Sequence, residues 1–244
     1  MSYILISVIV GFLILIHELG HFLAARWVGI PVARFSVGFG PRLWGFRRGR
    51  TEYRLSWFFL GGYVAPDVED EEDFCRYGIG RRVAFALGGP LANVVLAAVL
   101  FAVQNAWTNG VSLYGLTIQP LAQTGAFFWN MLTAFAALFS QPSEVSGIVG
   151  IVTQGGHYVG TDLLRAVRFA ILLSLNLAVL NLLPIPALDG GRMALYALEA
   201  LHPAVRRWHA PLTAVGWLLI LGLMLYATAL DVGRALRGGF GGVS

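Results

Sequence analysis

Four long apolar stretches, separated by polar segments, dominate the pattern of hydrophobic and polar positions along this 244-residue chain. They cover about residues 4–25, 83–107, 169–188 and 210–230. Each is close to the roughly 20 residues that an α-helix needs to cross a hydrocarbon core about 30 Å thick. The pattern predicts an all-α polytopic membrane protein with about four transmembrane helices. We assign them to one membrane domain over residues 1–237, with a tail at 238–244.

A shorter apolar stretch over residues 125–139 is ambiguous. The chain has no charged residue and no histidine between residues 83 and 143, so polar positions do not mark where this stretch begins or ends. It fits an interfacial helix, a re-entrant segment or a fifth span. It belongs to a short segment, residues 108–160, between the second and third spans.

The segment between the first two spans, about residues 34–66, differs from the spans in its pattern of polar and apolar residues. Polar and apolar residues alternate from Glu52 to Trp57, as they do in a half-buried strand. The arginine-rich residues 47–50 can close a hairpin between residues 42–46 and 51–57. The pattern predicts a membrane-associated β-hairpin or sheet between the first and second helices.

Composition agrees with a membrane protein and excludes an ordinary soluble domain. Hydrophobic residues make up 57% of the chain and charged residues only 12%, against about 25% charged residues in an average soluble protein. The single cysteine, Cys75, cannot pair within the chain, which excludes an intramolecular disulfide scaffold.

The basic residues predict the orientation of the chain. All 17 are arginines, and ten of them lie between Arg26 and Arg82. Because basic loops of membrane proteins face the cytoplasm, we expect this loop to be cytoplasmic and the N-terminus to be outside. Arg234 and Arg237 then lie on the outer side of the membrane, which is an exception to the rule that basic residues face the cytoplasm. The net charge of +4 is therefore an orientation signal, and we expect no nucleic-acid partner.

A metal-binding motif lies inside the first span. Residues His17 to His21 read HELGH, an H-E-x-x-H sequence that places two imidazoles on one helix face. Zinc suits this pair, and Glu18 is then placed to accept a proton from water at the metal. Ionisable residues within a span are costly and usually functional, although a polar cluster or a proton relay is the alternative explanation.

A catalytic zinc ion needs a third protein ligand. The candidates are His157, Asp189, Glu199, His202 and His209. With four spans, the third runs inward like the first, so Asp189 ends it at the depth of the histidine pair, whereas a fifth span would carry Asp189 to the opposite side. Pro184, Pro186 and two following glycines also interrupt the helix around Asp189. We expect the two later histidines to be interfacial and His157 to lie on the wrong side.

Four motifs in this order resemble the site-2 protease family of intramembrane zinc metalloproteases. They are HELGH at residues 17–21, GGPLAN at 88–93, SGIVGI at 146–151 and NLLPIPALDGGR at 181–192. The similarity covers essentially the whole chain and is greatest to the bacterial, RseP-like branch. That branch carries PDZ domains between the second and third spans, and the residues available here are too few for one.

The resemblance implies a specific site. One zinc ion would be held by His17, His21 and Asp189, and Glu18 would be the general base. Positions that match the family's substrate-handling residues are Asn93 and Asn181, although an amide within a span also commonly bonds to a neighbouring helix. The segment Gly61, Gly62 and Tyr63 would belong to an edge strand that receives the substrate.

The implied activity is cleavage of the membrane-spanning segments of single-span proteins, in a bacterial inner membrane, with the site reached from the cytoplasm. The lipid bilayer and these substrates are the expected partners, and an accessory or regulatory membrane protein is left open. The residues alone also leave two other functions open. One is a metal-dependent hydrolase of a non-peptide bond, and the other is a metal or proton transporter without enzymatic activity.

Overall fold

The computed structural model describes residues 2–138, 158–160 and 162–236 of the chain. The motif at 146–151, His157 and the tail at 238–244 lie outside the described residues. The elements, in chain order, are α1 (Ser2–Val28), β1 (Val32–Arg48), β2 (Thr51–Pro66), α2 (Glu71–Phe74), α3 (Ile79–Asn109), α4 (Leu113–Leu116), α5 (Ile118–Leu138), α6 (Leu163–Leu182), α7 (Asp189–Leu201), a 3₁₀-helix (Pro203–Trp208) and α8 (His209–Leu236).

Four helical segments of the described chain are long and apolar enough to cross a membrane, which confirms the predicted fold class. They are Ile4–Val28, Ile79–Asn109, Leu163–Leu182 and Pro203–Leu230. Helix α5, which contains most of the ambiguous stretch, does not qualify among them. It packs against α3 and α6.

The third membrane helix lies earlier in the chain than its apolar stretch predicts. The prediction of residues 169–188 is wrong at both ends, because α6 runs from Leu163 to Leu182. At its start, the Asp162 carboxylate accepts hydrogen bonds from the backbone N–H groups of Leu164 and Arg165, and this cap places two arginines inside the helix. At its end, Pro184 disfavours helical geometry in the preceding residue.

A further helix, which the apolar pattern does not predict, lies between the third and fourth spans. Helix α7 is amphipathic, and it buries one face that includes Leu195, Tyr196 and Glu199. Its N-terminal residue is Asp189. The short 3₁₀-helix then connects it to α8.

Helices α1 and α3 cross in very close contact. A Cβ atom added at Gly20 would lie 2.6 Å from Ala92 Cβ, and one added at Gly88 would lie 2.6 Å from Ala24 Cβ. Small residues at a crossing let two backbones approach, as is common between membrane helices. This contact brings the HELGH motif of α1 against the GGPLAN motif of α3.

The predicted hairpin is present within a larger antiparallel sheet. Trp44 pairs with Leu55, and Arg48 pairs with Thr51 beside the turn. The first part of β1 lies between the two ends of β2, since Phe35 pairs with Val64 as well as with Tyr53. Aromatic side chains join the sheet to the helices, in a buried cluster that includes Phe22, Phe35 and Phe85.

Candidate metal centre

Three buried side chains from two distant parts of the chain converge on one point. His17 Nε2 and His21 Nε2 lie 3.2 Å apart, and Asp189 Oδ2 lies 3.2 Å from the first and 3.3 Å from the second. Each of the three residues is less than 9% exposed. The two histidines share one face of α1, and the turn before α7 brings the carboxylate to them.

The triangle of donor atoms has the dimensions of a zinc site. Ligands bound at about 2.0–2.1 Å in a tetrahedron lie about 3.3 Å apart, close to all three separations here. Asp189 Oδ2 is buried and has no ordinary hydrogen-bond partner, which is costly unless the oxygen meets a cation or a protonated imidazole. The residues present therefore fit a metal ion with two nitrogen ligands and one oxygen ligand.

The other ring nitrogen of each histidine is also in contact with the protein. His21 Nδ1 lies 2.8 Å from the carbonyl oxygen of Phe85, to which it can donate, leaving Nε2 free as a ligand. His17 Nδ1 lies 3.2 Å from the side-chain nitrogen of Asn93. A half-turn of this amide would let its oxygen, buried without a partner, accept from His17 Nδ1–H instead. Asn93 is therefore placed to orient His17.

Gly89 of α3 keeps space open at the two histidines. A Cβ atom at this position would lie 2.7 Å from both Cε1 and Nε2 of His17, and it would also press on His21 Nε2. No side chain can be accommodated there without moving the imidazoles. In the sequence this glycine is one residue of the GGPLAN motif, and no local pattern indicates that it faces the donor atoms.

A tight turn between α6 and α7 holds Asp189 in place. Cβ atoms at Gly190 and Gly191 would collide with backbone carbonyls of the turn, and Ala187 has a φ of 84°, in the left-handed region that favours glycine. Burial raises the pKa of Asp189, but its close contacts with His17 and His21 lower it more, so the net pKa lies well below its ordinary value.

The Glu18 side chain packs against the end of the sheet. A Cβ atom at Gly62 would lie 3.0 Å from Glu18 Cγ and 2.9 Å from the carbonyl oxygen of Ser36. Gly62 pairs with Val37 of β1, so one side of this β2 segment faces β1 and the other side is an edge in the described sheet. Its neighbours pack on Phe39, because Tyr63 stacks on that ring and a Cβ at Gly61 would strike it.

The other candidate ligands among the described residues, which are Glu199, His202 and His209, are not part of the triangle. The Asn181 side chain donates to the Leu177 carbonyl oxygen of its own helix, and His202 is exposed. His209 is only 1% exposed, so it packs inside the protein. It lies in a second buried cluster, 3.5 Å from Glu199.

This second cluster also contains Cys75, and the donor atoms of Cys75, Glu199 and His209 lie within 4.8 Å of one another. A guanidinium already provides its positive charge. Arg82 donates to both carboxylate oxygens of Glu199 at 2.8 Å and to Cys75 Sγ at 3.3 Å. The cluster is therefore an ion-pair network rather than a candidate metal site.

The chain is similar to known proteins over most of its length. The model of peptidase family M50 matches residues 5–223. A predicted zinc metalloprotease of Nostoc sp. is 26% identical over 347 aligned positions, covering 93% of this chain and 94% of that protein. Since this alignment is longer than the chain itself, the relative contains inserted residues that this chain lacks.

Two further relatives are similar over different extents. A predicted zinc metalloprotease of Treponema pallidum is 39% identical over 130 positions, covering 47% of this chain and 29% of that protein. A predicted chloroplast membrane metalloprotease of Arabidopsis thaliana is 26% identical, covering 90% of this chain and 76% of that protein.

Proposed function

The chain belongs to peptidase family M50, and from this premise we propose that it is a zinc-dependent intramembrane endopeptidase that cleaves the membrane-spanning segments of single-span proteins. The observation that carries the proposal is the triangle of His17, His21 and Asp189. Its separations of 3.2–3.3 Å suit one tetrahedral zinc ion, and its position within a membrane helix suits a substrate in the bilayer.

Each residue of the site has a role in this reaction. The triangle would hold a zinc ion, which when bound would supply Lewis acidity to water and to a peptide carbonyl. Glu18, the residue that follows His17 in the chain, accepts the proton of the attacking water and passes it to the leaving amine. The Phe85 carbonyl and the Asn93 amide keep the imidazoles in the orientation that binding requires.

The sheet edge supports a peptide as the substrate. A helix hides its carbonyls in its own hydrogen bonds, so a scissile segment must first unwind, and bare backbone is costly within a bilayer. The β2 segment around Gly62 can pair with such a segment by strand addition. Because Gly62 touches Glu18, the added strand would lie beside the general base. A lipid hydrolase would have no use for this edge.

The charge bias supports the proposed orientation, in which the arginine-rich loop between α1 and α3 and the adjoining sheet and site face the cytoplasm and the N-terminus is outside. The proposed location is a bacterial inner membrane. One zinc ion per chain is the expected stoichiometry, because the described residues form one such triangle. Asn181, Gly61 and Tyr63 remain predicted substrate-handling residues.

The test is cleavage of a single-span model substrate by purified protein in detergent, with zinc measured on the same samples. Glu18→Gln should retain about one zinc ion and lose cleavage by more than a hundredfold, because the ligands remain while the base is lost. Glu69→Gln, the same change at an exposed carboxylate, should match the wild type.

Cleavage by Glu18→Gln at the wild-type rate would refute the mechanism. Purified wild-type protein without zinc would refute the metal centre. Zinc-dependent cleavage of a lipid amide by a protein that leaves every peptide substrate intact would favour the non-peptide hydrolase, and Glu18-dependent ion flux in vesicles without any cleavage would favour the transporter.

A further inference from the structure

A positively charged cavity of about 460 Å³ lies on the sheet. Its charged lining consists of four arginines and two carboxylates, which are Arg34, Arg42, Arg47, Arg50, Glu52 and Asp67. None of these residues takes part in the proposed reaction. The cavity is polar, in contrast to the apolar grooves between the membrane helices.

The positive charge of this cavity exceeds what its carboxylates can neutralise. Glu52 accepts from Arg34 at 3.0 Å and from Arg42 at 3.1 Å, and it is shared with Arg54 at 3.3 Å. Among the described residues, neither Arg47 nor Arg50 forms an ion pair. An anion between these side chains would complete their hydrogen bonding, and a phosphate group matches guanidinium geometry well.

The position of the cavity in the chain corresponds to the membrane surface. Helix α1 ends at Val28, and the cavity lining begins at residue 33. Trp27, in the last turn of α1, is 84% exposed, and tryptophan is enriched where a span meets the headgroups. On the hairpin itself, the large apolar side chains of Trp44 and Trp57 are more than 60% exposed.

We propose that this cavity binds the phosphate headgroup of an anionic phospholipid and so anchors the sheet at the membrane surface. The exposed tryptophans of the hairpin suit the acyl chains that accompany such a headgroup, whereas a free phosphate ion would leave them without a partner. Arg47 and Glu52, which pair beside the hairpin turn, line one part of the cavity, and Arg34, which donates to the Tyr63 hydroxyl group, lines another.

The proposal is tested by binding alone, so its outcome does not depend on proteolysis. Full-length protein in a neutral detergent is titrated with phosphatidylglycerol or phosphatidylcholine at 0.15 M salt, and bound lipid is counted by native mass spectrometry. Phosphatidylglycerol should bind at least tenfold more tightly than phosphatidylcholine. The double variant Arg47→Gln, Arg50→Gln should lower the affinity for phosphatidylglycerol by about thirtyfold. Each basic residue near an anionic surface contributes about fivefold to the affinity.

A second double variant controls for overall charge. Arg48→Gln with Arg76→Gln also removes two positive charges from the same polar region, but neither residue lines the cavity. The affinity for phosphatidylglycerol should therefore fall less than threefold. Equal losses in the two double variants would overturn the proposal. It would also be overturned if the two lipids bound equally, if millimolar inorganic phosphate displaced the lipid from the site, or if a glutamate-rich peptide competed for it.

Discussion

The buried pair of Arg82 and Glu199 gives the sharpest stability prediction. Arg82 is 1% exposed and Glu199 7% exposed, and two hydrogen bonds of 2.8 Å join them. The pair ties the start of α3 to the end of α7, the helix whose first residue is Asp189. We expect Glu199→Leu to destabilise the protein strongly, because it leaves the Arg82 guanidinium buried without its carboxylate.

The structure sets the size of this effect. Removing one partner of a buried ion pair costs about 3–5 kcal/mol, and we expect about 3 kcal/mol here because Arg82 also donates to the Tyr77 carbonyl. Arg82→Met should lower the free energy of unfolding by less, because Glu199 still has Arg206 and His209 within 3.5 Å. Combining Arg82→Met with Glu199→Leu removes both charges and should cost only about 1 kcal/mol.

The assay is equilibrium unfolding in mixed micelles, followed by fluorescence of the seven tryptophans. The coupling energy from the double-mutant cycle should be about 2 kcal/mol or more, with the double variant more stable than Glu199→Leu alone. Additive costs of the two substitutions would refute the reasoning, because the pair would then not act as a unit.

Acid should weaken the same pair. The hydrogen bonds from Arg82 lower the pKa of Glu199 below its ordinary value of 4.5. A lowered folded-state pKa stabilises the folded protein above the unfolded-state pKa, and this contribution is lost as the pH falls through the folded-state value. The stability difference between wild type and Glu199→Gln should therefore shrink below about pH 4.5.

The remaining predictions concern the candidate metal centre and the sheet edge. Gly89→Ala should abolish zinc binding, measured by elemental analysis, because its Cβ would occupy the space at the imidazoles; Gly80→Ala on the same helix meets open space and should retain zinc. Asn93→Ala should lower zinc affinity about tenfold in a chelator competition, since a group that orients a ligand is lost; unchanged affinity would contradict the orienting role. Gly62→Ala should slow cleavage at least tenfold at constant zinc content, since the added methyl group presses on Glu18 and the Ser36 carbonyl. Equal activity of Gly62→Ala and Gly222→Ala, a change that meets no neighbour, would refute the importance of this edge.

Much of the fold was predictable because its signals are local. Apolar length identified four membrane helices, and alternation with an arginine-rich turn identified the hairpin from Trp44 to Leu55. Spacing of four residues placed His17 and His21 on one helix face. Each of these inferences needs only a dozen or two consecutive residues and the geometry of one element.

Two errors show where local signals fail. Apolarity placed the third span at 169–188, but the Asp162 cap and Pro184 shift helix α6 toward the N-terminus. Helix α7 was not predicted, because it is amphipathic and too short to form one of the long apolar stretches. Capping and tertiary burial, rather than hydropathy, set these boundaries.

The sequence by itself determined the class of the protein, the membrane spans and the histidine pair, since composition and helical period act over short distances along the chain. Only the tertiary structure decided that Asp189 meets that pair at 3.2–3.3 Å, that Gly89 keeps the space beside it open, and that Arg82 lies in the second cluster against Glu199. These contacts join residues far apart in the chain. They depend on how closely α1 and α3 cross and on the turn that begins α7, and no local pattern encodes either distance.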